Sequence, residues 1–207
     1  VVDDGSADET AEIVKAVPTD GVSLKTLVHA RNRGKGAAVR TGFGATEGES
    51  ILLCDADLST PIEELEELDR SLAGGVAIGS RAVDRSLIEK AQPRYRDLMG
   101  RVFNLAVQIL AVRGIRDTQC GFKLFDGVLG RSLAAHQRID GFAFDVELLA
   151  LAQAGGHEIR EVPVRWRHVD ESRVQPVIHS ADMFLDLLRI GWWRCTGRIG
   201  RETLLEP

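Results

Sequence analysis

The amino-acid sequence predicts an α/β fold with an open, mostly parallel sheet and helices on both faces. Short apolar runs typical of strands alternate along the chain with longer stretches of helical periodicity, and this alternation favours parallel pairing. Acidic residues directly follow two of the apolar runs, as expected where an open sheet binds a ligand at the carboxyl ends of its strands. The 207 residues, of which 44% are hydrophobic, fit one domain with a single core.

Six strands and six helices are predicted. The strand-like runs are Val1–Asp3, Leu24–His29, Ile51–Asp55, Val76–Gly79, Gly121–Phe125 and Ile159–Trp166. Helical patterns cover approximately Asp8–Val17, Gly36–Ala45, Ile62–Ala73, Arg96–Arg113, Asp145–Ala154 and Ala181–Trp193. Two helix starts have the spacing of a capping box, Ser6 with Glu9 and Thr60 with Glu63. No apolar run reaches the roughly 18–20 residues that a membrane-spanning helix needs.

The segment from Ile51 to Pro61 carries the clearest functional signal. A strand-like run ends there in Asp55-Ala56-Asp57, which places two carboxylates at the mouth of a buried strand. Neighbouring carboxylates repel unless a cation or protons intervene. A divalent cation, Mg²⁺ or Mn²⁺, that carries a diphosphate is therefore the simplest explanation, although the same tripeptide also occurs by chance in turns.

A second acidic turn opens the chain at Asp3-Asp4-Gly5-Ser6. At the end of a strand, Asp3 and Asp4 can accept hydrogen bonds from a ribose hydroxyl or a base edge. The alternative is that they only favour the following helix through its dipole. We prefer the binding role for Asp3 and Asp4, and the dipole role for Asp8 and Glu9.

Seven segments carry motif-like residues in a fixed order: Val1–Ser6, Asn32–Gly36, Asp55–Pro61, Gly79–Arg81, Asp117–Lys123, Phe144–Leu149 and Val162–Trp166. In order and spacing they resemble the family 2 glycosyltransferases, in particular the dolichyl- or polyprenyl-phosphate hexose synthases. The resemblance implies a GT-A-type, Rossmann-like sheet. Members of the family begin with a further strand and a Pro-Ala-Tyr-Asn-Glu-type loop, which this sequence lacks. We therefore expect a truncated chain whose first strand is missing.

The resemblance implies metal-dependent, inverting transfer of a hexose from a nucleotide-sugar donor, of the UDP-glucose or GDP-mannose type, to a polyprenyl or dolichyl phosphate. Within a single domain over 1–207, residues 1–80 would bind the donor and residues 81–207 the acceptor. Ser59 favours glucosyl-type members, because mannosyl relatives usually carry Gln there. The residues expected to bind the donor are Asp3, Asp4, Gly5, Ser6, Asn32, Lys35, Asp55, Ser59, Arg167 and Arg173, with Asp55 and Asp57 holding the metal.

The expected catalytic residues are Asp57, Arg81, Arg101 and Asp117. A metal held by Asp57 stabilises the charge that grows on the leaving diphosphate. A phosphate acceptor is already anionic and needs positioning more than a base, so Arg81 and Arg101 are expected to grip phosphates. For a hydroxyl acceptor Asp117 would be the general base; otherwise it is a turn carboxylate. Asp145 is expected to cap a helix.

The net charge of −5 gives no reason to expect nucleic acid as a partner. The charged residues are unevenly distributed along the chain. Residues 1–70 hold 15 acidic against 7 basic residues, and residues 81–123 hold nine basic against four acidic. A basic half would suit an anionic acceptor or membrane. The amphipathic helices at Arg96–Arg113 and Ala181–Trp193, the latter ending in Trp192-Trp193 beside arginines, suit peripheral contact with the cytosolic face of a membrane or packing in the core.

Three other functions remain open from the sequence. One is a glycosyltransferase that acts on a saccharide or small-molecule hydroxyl. Another is a sugar-phosphate nucleotidyltransferase, which has the same kind of sheet and also uses a bound metal ion. The third is an inactive nucleotide-binding fragment. The three cysteines are widely spaced, which fits a reducing, cytoplasmic compartment. No feature of the sequence indicates an oligomeric state.

Overall fold

A computed structural model describes residues 1–169 and 176–199. Its strands are β1 (Val2–Asp3), β2 (Leu27–Val28), β3 (Ser50–Cys54), β4 (Val76–Ser80), β5 (Ile88–Lys90), β6 (Phe122–Asp126), β7 (Ile159–Pro163) and β8 (Trp166–Arg167). Its helices are α1 (Thr10–Ala16), α2 (Lys35–Gly44), α3 (Leu65–Ser71), α4 (Arg94–Leu110), α5 (Gly127–His136), α6 (Phe144–Ala154) and α7 (Pro176–Cys195). Short 3₁₀ turns at Ile62–Glu64 and Arg85–Leu87 precede α3 and β5.

The predicted α/β architecture is confirmed. The main sheet has the strand order β3-β6-β4-β7, and the pairs β1-β2 and β5-β8 form two small parallel sheets. Among the described residues three of the five strand pairings are parallel. Strand β6 lies antiparallel between β3 and β4, an arrangement that simple alternation of strands and helices does not predict.

The antiparallel strand β6 brings the ends of several elements to one edge of the sheet. In the register, Cys54 at the end of β3 pairs with Phe122 at the start of β6, and Ile78 near the end of β4 pairs with Lys123. Strand β7 runs parallel to β4 and ends beside Ser80. The segment 81–121 therefore leaves the sheet and returns to it at the same edge.

Strand β6 also separates two apolar layers. Phe122 and Leu124 pack on one face in a cluster that includes Leu68 of α3. Phe125 faces the other side, where its ring lies 5.1 Å from that of Phe43 in an edge-to-face contact. Lys123 shares the face of Phe125, because side chains alternate along a strand, and it is fully buried. A lysine in the middle of a sheet needs a partner, which lies at the candidate site.

Both predicted capping boxes are wrong. Helix α1 begins at Thr10 without a side-chain cap, and the Ser6 hydroxyl donates instead to Asp3 Oδ1, 2.5 Å away. Thr60 is buried, with its hydroxyl 3.9 Å from the sulfur of Cys120. A contact within the acidic turn replaces the first helix cap, and a contact with the loop that precedes β6 replaces the second. No helix among the described residues is long and apolar enough to cross a membrane.

Candidate functional site

The edge at which β3, β4 and β7 end holds most of the predicted catalytic residues. Asp55 and Asp57 follow β3, Arg81 follows β4, and Asp117 lies in the loop that leads into β6. Three neighbouring cavities open here, which we name the acidic cavity, the basic cavity and the apolar groove. Each is lined by residues from several elements, so the site depends on the sheet that aligns them.

The acidic cavity has a volume of about 100 Å³. It is lined by Cys54, Asp55, Asp57, Ser59, Thr60, Arg81, Gln119, Gly121, Phe122 and Trp166. Burial, and then the charges of Asp55 and Asp57, raise the pKa of the Cys54 thiol, so the thiol stays neutral. The backbone N–H of Ser59 donates to Asp57 Oδ1 at 3.0 Å, which closes a tight turn and fixes the Asp57 carboxylate at the cavity wall.

Lys35 and Gly121 shape the surroundings of Asp55. Lys35 Nζ lies 2.7 Å from Asp55 Oδ1. On the other side, a Cβ atom at position 121 would lie only 1.9 Å from Asp55 Oδ2, so the carboxylate occupies space that any residue other than glycine would fill. The structure thus brings Lys35 and Asp55 together, whereas their contact with a donor diphosphate stays a prediction.

Asp55 and Asp57 fit one kind of metal site. Among residues 1–169 and 176–199 no group of three or more His, Cys, Asp or Glu side chains could hold a metal ion. Two carboxylates suit a hard cation such as Mg²⁺ that takes its remaining ligands from substrate phosphates and water. A structural site closed by protein ligands is not formed by these residues.

A buried ion pair lies behind Lys35. Lys123 Nζ is 2.6 Å from Asp145 Oδ1, and both side chains are almost fully buried. Burial raises the pKa of Asp145, and Lys123 and Lys35 oppose that rise. Burial also acts to lower the pKa of Lys35, but Asp55 and Asp145 outweigh it, and the pKa is raised. The predicted capping role of Asp145 is wrong: α6 begins at Phe144 with Ala143 before it.

The N-terminal acidic turn organises a neighbouring loop. Asp4 accepts hydrogen bonds from the backbone N–H groups of Arg33 and Gly34 at 3.0 and 2.7 Å and from His29 Nδ1 at 2.6 Å. Burial acts to raise the pKa of Asp4, but these donors outweigh it and lower the pKa. Gly5 has a φ of +74°, and a Cβ there would lie 2.6 Å from the Arg31 carbonyl carbon. Asp4 and Gly5 therefore hold the 31–34 loop that leads to Lys35.

Arg81 forms a bidentate ion pair with Asp117. Arg81 Nε and Nη2 each lie 2.7 Å from a different oxygen of Asp117, and Arg81 N donates to Asp117 at 2.9 Å. Burial acts to raise the pKa of Asp117, but Arg81 outweighs it and the pKa is lowered. Glu161 Oε1 in turn accepts from Asp117 N at 2.9 Å.

This geometry does not support Asp117 as a general base. Each of its carboxylate oxygens already accepts two hydrogen bonds, from Arg81 and the Gln119 N–H. A base needs an available oxygen within reach of the proton that it removes. The alternative of a carboxylate that bonds its own loop describes Asp117 better, with the addition that it orients Arg81.

The basic cavity has a volume of about 420 Å³. Arg101 lines it, and Arg101 Nη2 lies 2.9 Å from Asp97 Oδ2 one helical turn away. The side chain of Arg101 is 61% exposed, so this ion pair holds it weakly. The basic residues lining the cavity are Arg81, Arg85, Arg94, Arg101 and Arg116.

The apolar groove, of about 510 Å³, lies between α4 and α7. Its apolar wall comes from Met99, Val102, Phe103, Ala106, Trp166, Val169, Met183 and Phe184. Asp57, Ser59 and Arg81 line its inner end. The groove shares Arg81, Gln92, Gly100, Gln119 and Trp166 with the basic cavity, so the two adjoin.

Several predicted donor residues lie away from these cavities. Asp3, Asp4, Gly5, Ser6 and Asn32 line none of the three. Arg167 donates its backbone N–H to the carbonyl oxygen of Ser59 at 2.9 Å, but its side chain lines none of them either. Arg173 lies outside the described residues. Donor contacts by these residues stay predictions.

Two residues of the site were not singled out from the sequence. Gln119 and Trp166 line all three cavities, and the Arg81 guanidinium stacks over the Trp166 ring at 5.2 Å. Both residues stand within motif segments, Asp117–Lys123 and Val162–Trp166, and this was the available signal. Their direction toward the site depends on the pairing of β5 with β8 and of β6 with β3, which is nonlocal.

Comparisons with known sequences identify relatives. Residues 1–126 match the family Glycosyl transferase family 2. A dolichyl-phosphate beta-glucosyltransferase of Trichomonas vaginalis is 38% identical over 197 residues, covering 92% of the chain and 58% of that protein. The enzyme of that name from Homo sapiens is 37% identical over 213 residues, covering 94% and 65%. The chain thus spans less than two thirds of the length of these curated relatives.

Solved structures share the fold at low identity. Glucosyl-3-phosphoglycerate synthase from Mycobacterium tuberculosis, in complex with UDP, has a TM-score of 0.63 at 17% identity over 92% of the chain and 67% of that structure. The same enzyme in complex with Mn²⁺ and UDP-glucose has a TM-score of 0.61 at 17% identity, over 91% and 67%. Mannosyl-3-phosphoglycerate synthase from Rubrobacter xylanophilus has a TM-score of 0.60 at 18% identity, over 97% and 64%. The predicted GT-A-type fold is confirmed.

Proposed function

The chain belongs to glycosyl transferase family 2, and we propose that it transfers glucose from UDP-glucose to a polyprenyl phosphate of the dolichyl type, with Mg²⁺ or Mn²⁺ as cofactor. The names of the dolichyl-phosphate beta-glucosyltransferases that it resembles give the sugar and the acceptor. Glucose is preferred to mannose because these relatives are glucosyl enzymes, in line with Ser59 after the acidic pair.

The observation that carries the proposal is that the basic cavity adjoins the apolar groove and shares five lining residues with it. A phosphate group would lie among the arginines of the basic cavity, since the guanidinium group matches phosphate oxygens. A hydrocarbon tail would lie along Met99, Val102 and Phe103 in the groove, where burial of apolar surface favours binding. A water-soluble anionic acceptor would leave that groove unused.

The donor diphosphate is assigned to the acidic cavity. Asp55 and Asp57 would hold a divalent cation, which when bound would offset the negative charge that grows on the leaving diphosphate. Lys35, already 2.7 Å from Asp55, adds a positive charge on the same side. Support from outside the chain comes from the structural neighbour that was solved with Mn²⁺ and UDP-glucose.

The residues at the junction would orient the reaction. Arg81, fixed by Asp117, would hold the acceptor phosphate in line for attack on the anomeric carbon. The acceptor oxygen is already anionic, so positioning rather than deprotonation is required. Direct displacement inverts the configuration at that carbon. A hydroxyl acceptor would need a base, and the engagement of Asp117 by Arg81 speaks against that alternative.

Contact with a membrane surface forms part of the proposal. The α4 side chains Leu98, Val102, Leu105 and Ile109 are 58% to 70% exposed. On α7, Leu185 and Trp192 are more than half exposed, and Arg198 lies 4.2 Å from the Trp192 ring. Exposed apolar and aromatic side chains beside arginines suit a peripheral position at an anionic membrane face, which we take to be the cytosolic one.

The proposal is tested by supplying radiolabelled UDP-glucose or GDP-mannose with dolichyl phosphate and measuring label in the extracted lipid. We expect transfer from UDP-glucose that is lost with a chelator and in Asp57→Asn. Asp69→Asn, the same change at an exposed position outside the three cavities, serves as the control and should stay active. Transfer from GDP-mannose, or no lipid product from either donor, would overturn the assignment.

A further inference from the structure

The position of the transferred sugar follows from the arrangement of the three cavities. During transfer the anomeric carbon must lie within bonding reach of both the donor diphosphate and the acceptor phosphate. The hexose therefore lies where the acidic cavity meets the basic cavity and the groove. Three described residues line all three spaces: Arg81, Gln119 and Trp166. A sugar at this junction would lie beside these three residues.

Two members of the set already have their contacts. Arg81 is bound by Asp117 along one edge of its guanidinium group, through Nε and Nη2, and it stacks on the Trp166 ring. Gln119 differs from them. Its backbone N–H donates to Asp117 Oδ1 at 3.3 Å, which fixes the start of the side chain. Its side-chain nitrogen Nε2 is buried, with no hydrogen-bond partner among the described residues.

A buried amide group without a partner is costly, because it has lost its hydrogen bonds to water and gained none. Such a group in a native structure calls for an explanation, and a ligand that completes the hydrogen bond is one. The last side-chain torsion of glutamine is broad and roughly two-fold, so a half-turn about it presents either the amide oxygen or the nitrogen to the junction. The missing partner is then a group on the substrate.

We propose that Gln119 is a specificity-determining residue that hydrogen-bonds a hydroxyl group of the hexose during transfer. The inference rests on the proposed function, since it takes a sugar nucleotide as donor. A sugar hydroxyl both donates and accepts hydrogen bonds, so it matches an amide in either orientation. A site that pairs a buried polar group with a substrate hydroxyl discriminates strongly against analogues that lack the hydroxyl.

The test compares UDP with UDP-glucose as ligands of Gln119→Met, measured by calorimetry with Mn²⁺ on the whole chain. Methionine keeps the length of the side chain and removes its amide. We expect the affinity for UDP to be unchanged and that for UDP-glucose to fall about three- to tenfold, the change that one neutral hydrogen bond supports. Gln108→Met, outside the three cavities, is the matched control and should bind both ligands normally.

Deoxy analogues of UDP-glucose identify the hydroxyl. The unmodified protein should bind one analogue more weakly than UDP-glucose, and Gln119→Met should not distinguish the two. Thermal unfolding of Gln119→Met should occur at or above the normal temperature, because the substitution removes an unpaired buried group. Unchanged binding of UDP-glucose, or an equal loss for UDP, would overturn the assignment of Gln119. Failure of the unmodified protein to bind UDP or UDP-glucose would instead overturn the proposed function, and this inference with it.

Discussion

Arg81 owes its position to a carboxylate that the sequence suggested as a base. Asp117 lies 2.7 Å from two nitrogens of the guanidinium group. The backbone N–H of Asp117 in turn donates a hydrogen bond to Glu161. Nothing in the order Asp117-Thr118-Gln119 reveals this, because Arg81 is 36 positions away along the chain. Acidic residues in loops are recognisable from sequence, but their partners are set by tertiary contacts.

Replacing Asp117 with asparagine therefore tests positioning. The asparagine amide keeps one acceptor oxygen but places its NH₂ group against the guanidinium. Arg81 therefore loses its bidentate ion pair. We expect the KM for polyprenyl phosphate to rise about 10- to 100-fold, by analogy with the loss of a residue that orients a metal ligand, with little change in UDP affinity. Steady-state kinetics with varied acceptor measures this. A kcat of the unmodified protein that falls as the pH is lowered, and that Asp117→Asn reduces at constant KM, would instead favour a general base, because a base must be deprotonated to act.

The buried ion pair of Lys123 and Asp145 is expected to affect the stability of the fold. Removing one partner of a buried ion pair leaves an uncompensated charge, whereas replacing both with apolar groups is often neutral. Lys123→Met alone should lower the free energy of unfolding by about 3–5 kcal/mol. Lys123→Met combined with Asp145→Leu should recover most of it in urea unfolding. A double variant no more stable than the single one would contradict this account.

Glu147 provides a pH-dependent contribution to stability. Burial raises its pKa from 4.5 to about 7, although N–H groups of Arg138 and Ile139 favour the ionised form. The folded protein therefore binds a proton more tightly than the unfolded chain between these values. The contribution of Glu147 to the free energy of unfolding is present in full below the pKa of the unfolded chain, and it is lost as the pH rises through 7.

Relative to Glu147→Gln, the unmodified protein should lose up to about 3 kcal/mol of unfolding free energy as pH rises from 4.5 to 7. Chemical unfolding of both proteins at a series of pH values gives this difference. A difference that does not depend on pH would show that Glu147 has an ordinary pKa. The comparison with the glutamine variant removes the opposite pH dependence of Asp117, whose pKa is lowered.

Regular elements with local signals were predicted well, and those made by distant pairing were not. Strands β3, β4 and β6 lie within one or two residues of their expected ranges, because apolar runs reveal them directly. Helix α5 was missed, although Asp126 caps it by accepting from Leu129 N at 3.0 Å. Its two early glycines are poor helix formers, but a Cβ at Gly127 would lie 2.2 Å from the Gly48 carbonyl oxygen.

Strands β5 and β8 show the limit more clearly. Each has two or three residues, and they pair across almost 80 positions of the chain, as Ile88 with Trp166. Runs this short have no periodicity of their own. Their pairing nevertheless places Trp166 under Arg81, so a part of the site that sequence alone did not reveal depends on them.

Helix α4 offers a test of the apolar groove that leaves the core intact. Val102 lines the groove and is 60% exposed, whereas Leu105, 58% exposed, lines none of the cavities. In detergent, Val102→Glu should raise the KM for long polyprenyl phosphates about tenfold, since a charge in the groove opposes burial of the tail. Leu105→Glu should leave it unchanged. Equal effects of the two substitutions would mean that the groove does not hold the tail.

The molecule as a whole brings its acidic and basic parts together at one edge of the sheet. The acidic cavity combines Asp55 and Asp57, from the acidic first 70 residues, with Arg81 and Trp166 from later elements. Both parts of the chain, 1–80 and 81–207, thus contribute to a single site. Their division into a donor part and an acceptor part stays a prediction. The antiparallel β6 makes this convergence possible.

The central claim is that two adjoining spaces, the basic cavity and the apolar groove, hold the phosphate and the hydrocarbon tail of a single acceptor. The most direct measurement is glucose transfer from UDP-glucose to polyprenyl phosphates of decreasing tail length, beside the matching polyprenol and soluble saccharides. The structure predicts that kcat/KM falls as the tail shortens and that the polyprenol, which lacks the phosphate, accepts no glucose. Transfer to a saccharide or to the polyprenol as fast as to the long polyprenyl phosphate would contradict the account.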